Sequence, residues 1–302
     1  MNKAFINLEE NRLKAGWRIL LFIVIFWGCT LITFLIKPLF GKISNKDFLQ
    51  NYSLVLVIIL SLAAVISVSI SRKFFDKKSF ISLGLKANKR TIKDVLFGFG
   101  LSGLMALVFL STLINFNLVE ITKIHFHNGT SALGEASFID FMRVVTLGSL
   151  SIIFLEHILV SFWEELVFRG YLFQNMNDGM GLKPAIFISC IIYGVIHYTN
   201  PNAGILSSLI IILFGFLRIY GYLATKNLWL SIGMHIGWNF FQGPIFGFAA
   251  SGHQKATLFN LTITSEKSWL TGGDFGPEGS ILIIPILFFS FLAMNWYAKT
   301  NT

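Results

Sequence analysis

Charge is what this sequence has least of: of 302 residues only 13% are Asp, Glu, Lys or Arg, while 54% are hydrophobic and the mean hydropathy is +0.70. A soluble domain carries about a quarter of its residues as charges, so this composition excludes a pair of soluble domains and points to a chain that lives in lipid. Cysteine is nearly absent as well. Cys29 and Cys190 both fall inside apolar runs and no CxxC occurs, which argues against a disulfide framework and against a thiolate metal site. No small-residue cleavage site follows the first apolar run, and Glu9 and Glu10 precede it, so that run reads as an uncleaved span rather than a signal peptide. No His-Glu-x-x-His motif occurs, and no internal duplication is visible.

What is present is a series of apolar runs, near 17–36, 52–71, 95–115, 144–173, 184–199, 204–222, 228–247 and 280–298. They are far longer than the roughly 10 residues of a barrel strand, and isolated strands cannot satisfy their backbone in lipid, so the expected fold is an all-α polytopic membrane protein of about eight spans. The basic residues give it an orientation. Arg72, Lys73, Lys77, Lys78, Lys86, Lys89, Arg90 and Lys93 form the densest cluster, which places 72–93 and both termini in the cytoplasm and 248–279 outside. Lys37, Lys42 and Lys46, after the first span, are the misfit. Loop lysines facing an anionic inner leaflet also account for the net charge of +9, so no nucleic-acid partner is expected.

Among the loops, 72–93 intersperses Phe74, Phe75, Phe80, Ile81 and Leu85 with its basic residues, a pattern that suits either a surface-lying amphipathic helix or a solvated linker. The loop 116–143 reads as a polar connector, with His125 and His127 facing water. The glycine-rich Gly272–Gly279 follows no strand and reads as a turn before the last span, not as a phosphate cradle. Three regions result: 1–143 with three spans and the basic loop, 144–250 as a core that holds spans four to seven, and 251–302 with the outer loop and the last span.

The fourth run is the unusual one, because it carries Glu156, His157, Glu164, Glu165 and Arg169. Ionised groups near a bilayer centre cost roughly 2.5–3.5 kcal/mol each on insertion scales, so several together imply a protein-lined, hydrated site. Other polar groups recur at helix spacing: Tyr193 with His197, and His235 with Asn239. Counted from the cytoplasmic ends at about 1.5 Å per residue, Glu164 lies about 16 Å deep, His197 about 21 Å, and His235 and Asn239 about 12 and 18 Å. Spans four, five and seven thus bring these groups near the midplane. A carboxylate and a histidine sharing one water can take its proton as it attacks a carbonyl, while a second histidine and an amide can donate to the oxyanion. With no serine or cysteine beside a well-placed base, hydrolysis by an activated water is the natural chemistry.

Glu164-Glu165-x-x-x-Arg169, Tyr193-x-x-x-His197 and His235-x-x-x-Asn239, in that order, resemble the CAAX protease and bacteriocin-processing (CPBP, or Abi) family of intramembrane proteases. The resemblance covers about 150–245. It implies that Glu164 and His197 activate water and that His235 and Asn239 form the oxyanion site, with Glu165 and Arg169 as a structural ion pair. Tyr193 stands where phenylalanine is usual, and Glu156-His157 adds polarity near the same face. His157 alone suits a packing role, and Trp163, Trp229, Trp238, Trp269 and Trp296 suit span packing or interfacial anchoring.

These readings give a cell-membrane endopeptidase acting on a membrane-associated peptide or protein, without a metal or other cofactor. If zinc were used, Glu164, His197 and His235 would be its ligands. A transporter, or a non-catalytic membrane protein of the bacteriocin-immunity type, are the readings from other classes. The topology makes a first prediction. A cysteine at Lys78 is labelled only from the cytoplasmic side and one at Ser265 only from outside; labelling of both from one side removes the eight-span arrangement.

Overall fold

The computed structural model describes residues 5–7, 9–40, 46–126, 129–131, 147–255 and 257–301. Its helices are α1 (Ala15–Phe40), α2 (Lys46–Phe74), α3 (Thr91–Asn115), α4 (Leu147–Glu165), α5 (Phe173–Met180), α6 (Leu182–Ile196), α7 (Ile205–Thr225), α8 (Trp229–Phe240), α9 (Ser268–Thr271) and α10 (Ile283–Asn301). The chain is a polytopic all-α membrane protein with only small sheets. Among the described residues five helices are long and apolar enough to cross a membrane: 54–74 within α2, α3, 182–199, α7 and 283–300. A shorter apolar stretch, Ala15–Leu31, lies in α1. Of the eight runs, the first, fourth and seventh fall short among the described residues, and the last two of these carry polar motifs. α4 holds three carboxylates, and α8 runs only 12 residues before its ladder changes.

Both of these helices end in a π-helical turn, Leu166–Leu172 after α4 and Phe241–Ile245 after α8. The second contains Pro244, which has no N–H to give to the ladder, so the widened turn there has a covalent cause. The first has no proline. It is braced at its end by Tyr171, whose hydroxyl donates to the buried Asp76 at 3.3 Å. Asp76 also accepts from Arg72 at 2.7 Å, Arg18 at 3.3 Å and Asn175 at 3.3 Å, so α1, α2, the π turn and α5 share one carboxylate. At the rim of this network Asp178 is half-buried. Burial pushes its pKa up, but Lys78, Arg12 and Arg18 outweigh that and hold it below the usual carboxylate range.

The core falls into two main clusters, one around Phe109, Phe214, Leu230 and Trp238, the other around Phe22, Leu166, Tyr171 and Tyr193. Between α3 and α8 the backbones nearly touch. A Cβ on Gly233 would stand 2.3 Å from the Val95 carbonyl oxygen, and one on Gly237 2.5 Å from that of Phe99. The Ser102 hydroxyl donates to the Met234 carbonyl at 2.8 Å across the same seam. Lipid gives apolar side chains little reason to associate, so close backbone approach of small residues is what holds such helices together. The seam fixes the axial rotation of α8, and with it His235 and Asn239.

Two loop expectations change. Residues 119–131 are not plain connector: β3 (Val119–Phe126) pairs antiparallel with β4 (Gly129–Ser131) and with β5 (Phe259–Ile263), giving the order β4-β3-β5. A separate hairpin, β1 (Ile6–Asn7) and β2 (Arg12–Leu13), precedes α1. In the basic loop the apolar residues form a single 3-10 turn, Phe80–Leu83, rather than an amphipathic helix, with Leu83 buried and Ile81 exposed. His127, the side chain of His125, and Lys42 lie outside the described residues. The segment 268–279 is a run of short turns in which Gly272 and Gly276 take φ of 87° and 94°, the left-handed region that glycine tolerates.

The seam makes the second prediction. Gly233→Val forces α3 and α8 apart and lowers the melting temperature and folded yield, an overpacking cost of about 1–3 kcal/mol. Gly100→Ala, on α3 with nothing within 4 Å of its Cβ, leaves both unchanged.

Candidate active site

A carboxylate at the end of α4 is the origin of the site. Glu165 is fully buried, and its Oε1 accepts from Arg169 at 3.2 Å and from His235 Nδ1 at 3.0 Å, with the Arg218 guanidinium 3.7 Å away. Among the described residues its buried Oε2 has no hydrogen-bond partner. Arg169 is four residues on, one turn into the π segment, so the pair expected from spacing is present. The helix rule also separates the two glutamates: Glu164 lines a cavity of about 860 Å³ and Glu165 does not. Yet both meet the same imidazole. His235 turns Nδ1 to Glu165, and its Nε2 stands 3.9 Å from Glu164 Oε2.

The second histidine is oriented differently. His197 sits just past the end of α6, and its Nδ1 lies 2.7 Å from the Tyr193 carbonyl oxygen. A carbonyl can only accept, so that nitrogen carries the proton and Nε2 has a free lone pair. Tyr193 itself reaches Glu164, its hydroxyl donating to Oε2 at 2.9 Å. Arg218 on α7 donates to the same hydroxyl oxygen at 2.7 Å. The Arg169 guanidinium lies over the Tyr193 ring, 4.0 Å from its centroid.

Glu164, His197, His235 and Asn239 all line the one cavity, although they come from three helices. The same cavity takes residues that the motifs do not contain. Arg218 and Glu278 line it, as do Glu156 and His157 one to two turns before Glu164. The residues around 250–255 close its other end. Lys255 forms an ion pair with Glu156, and Ser251 donates to Glu278, whose other oxygen accepts from Trp238 Nε1 at 2.8 Å. His253 lies there too. Burial, then Lys255 and His197, hold its pKa below the ordinary value, so its ring is neutral at pH 7. Arg218 and Glu278 carried no spacing signal in the sequence. An arginine inside the otherwise apolar run 204–222 was the one cue to the first, and Glu278 sat in a loop that read as a turn.

A second hollow, of about 870 Å³, lies beside the N-terminal hairpin and holds none of these residues. Among the described residues no three His, Cys, Asp or Glu side chains are grouped closely enough to hold a metal ion.

The order and placement of these groups meet an independent comparison. Residues 146–241 match the family described as type II CAAX prenyl endopeptidase Rce1-like, a stretch that opens at α4 and closes just after Asn239. This segment is similar to an Rce1-like domain. It takes up roughly a third of the chain and contains every one of the motif residues. A protein of Bacillus subtilis (strain 168) described as uncharacterized protein YyaK is 33% identical over 84 residues, which is 26% of this chain. The match spans 27% of that relative's length. Outside the Rce1-like domain, α3 supplies the seam that fixes α8, and residues 250–278 supply the far wall of the cavity.

The buried charges give the third prediction. Glu165→Gln leaves Arg169 and Arg218 facing a neutral amide, and the loss of such a pair costs about 3–5 kcal/mol. The expected readout is a fall in thermal stability and folded yield, measured in detergent, larger than that of Glu164→Gln.

Proposed function

We propose that the protein is an intramembrane endopeptidase that hydrolyses a peptide bond of a membrane-associated substrate, with Glu164 and His197 activating the water. The observation that carries this reading is the arrangement around Glu164, a carboxylate that faces a cavity and has His235 and Tyr193 fixed beside it. Its relation to the Rce1-like family supports the substrate class, a peptide presented at a membrane.

In this reading a water held by Glu164 and the Nε2 lone pair of His197 gives up a proton to Glu164 as its oxygen attacks the carbonyl carbon. The carbonyl π bond opens and its electron pair becomes an oxyanion. The Asn239 amide donates to that oxygen. His235 donates as well, but only when doubly protonated, because its Nδ1–H is committed to Glu165 and Nε2 must then bring a second proton. Collapse of the intermediate breaks the C–N bond, and the proton taken by Glu164 passes to the leaving amine. No covalent enzyme intermediate and no metal ion enters these steps.

The protein belongs in the cell membrane with both termini in the cytoplasm. Its test compares the protein termini in membranes carrying the wild type with those carrying Glu164→Gln. New termini appear with the wild type, and the variant loses at least about 100-fold of their rate of formation with little change in folded yield. Termini that are identical in the two membranes remove the peptidase reading. For the cofactor, activity persists after exhaustive chelation and elemental analysis finds no stoichiometric zinc; activity lost on chelation and restored by zinc transfers Glu164, His197 and His235 to the role of ligands.

A further inference from the structure

Arg218 is the charge that the proposed chemistry leaves without a task. It is buried in α7, a helix that carries none of the motif residues, and removing a guanidinium from water costs several kcal/mol unless its hydrogen bonds are recovered. The ion pair with Glu165 already has Arg169 as the closer cation, at 3.2 Å against 3.7 Å. What Arg218 alone does is donate to the Tyr193 hydroxyl, at 2.7 Å. That hydroxyl has one proton, and with Arg218 occupying its oxygen lone pair the proton is directed to Glu164 Oε2, 2.9 Å away.

We propose that Tyr193 and Arg218 are positioning residues for hydrolysis: Arg218 orients the Tyr193 hydroxyl, and that hydroxyl holds Glu164 in the rotamer that offers Oε1 to water. Among the described residues the side-chain hydrogen bond that Glu164 accepts falls on Oε2, from Tyr193. Tyr193 fixes the second water-facing group as well, because its carbonyl accepts from His197 Nδ1 and its ring packs on the imidazole with centroids 4.4 Å apart. One residue therefore sets the distance between the two groups that share the water. The hydroxyl is what phenylalanine at this position could not supply, and the carbonyl is what any residue could. Arg218 is itself held by α8, where the Ser231 hydroxyl donates to its carbonyl oxygen at 2.7 Å.

The proposal rests on the peptidase reading, and the experiment separates the two. The probe is a peptide copied from a terminus that wild-type membranes produce and Glu164→Gln membranes do not. Purified full-length wild type, Tyr193→Phe, Arg218→Lys, Arg218→Met and the Tyr193→Phe/Arg218→Met double variant are assayed on it, with rates normalised to folded protein. Tyr193→Phe keeps the ring and the backbone carbonyl, so its fold and its KM stay within about twofold of the wild type while kcat falls roughly 10- to 100-fold. Arg218→Met falls by a similar factor with Tyr193 present and by little more in the Phe background, since it acts through the hydroxyl. Arg218→Lys recovers part of the loss only when Tyr193 is present. An unchanged kcat in Tyr193→Phe, or a raised KM at unchanged kcat, overturns the positioning role and leaves the peptidase reading standing. If Arg218 variants do not fold, Tyr193→Phe alone decides it. If no terminus depends on Glu164, the peptidase reading falls and this proposal with it.

Discussion

Two carboxylates and two guanidiniums, Glu164, Glu165, Arg169 and Arg218, sit inside a largely apolar bundle, and the rest of the structure is arranged so that they balance there. An unpaired charge in such a place costs more than most side-chain contacts can return, so the four must arrive together from α4, its π turn and α7. Glu165 is the point of convergence. One of its oxygens collects Arg169 and His235, which ties the carboxylate helix to the histidine helix by a single atom. The π turn after α4 carries Arg169 and ends at Tyr171, which hangs on Asp76 and so connects the charge cluster to the first two helices.

Two of the site helices, α4 and α8, are not among the helices long and apolar enough to cross a membrane. α4 holds Glu156, Glu164 and Glu165, and α8 stops at a proline-containing π turn, so both depend on neighbours more than an independent span would. α8 takes its support from α3 through the glycine seam, at a separation that no side chain larger than hydrogen allows at Gly233. α4 takes it from the ion pairs and, at its middle, from the link between Glu156 and Lys255 of the outer loop. A polar cavity in lipid thus needs both a tight apolar seam behind it and a loop in front, and residues 250–278 provide the loop with Lys255, Ser251 and Glu278.

Much of this was legible in the sequence. The all-α membrane architecture follows from run lengths and the absence of charge, because lipid leaves the backbone no alternative to helices over such lengths. The three polar motifs were visible because ionisable residues are conspicuous in apolar runs, and the division of labour between Glu164 and Glu165 follows from the 100° step of a helix. In the structure Glu164 lines the cavity and Glu165 is buried, so the two adjacent side chains do point to different places. The small sheet β4-β3-β5 was not legible, since β5 lies more than a hundred residues after β3 in sequence and only their pairing shows the pattern.

What only the tertiary structure decided is which groups from different helices share a hydrogen bond. Spacing places Arg169 on the face of Glu165, because both lie on one rigid helix. It cannot place Arg218, which reaches Tyr193 from another helix, nor Glu278, which reaches Trp238 from a loop. Nor can it tell that His235 turns one nitrogen to each of two adjacent glutamates, since that depends on the rotation of α8 set by its contact with α3. The sequence by itself determined that polar groups would gather within an apolar bundle; the packing of α3, α7 and α8 determined which atom of each faces which, because periodicity along one helix carries no information about its rotation against the next.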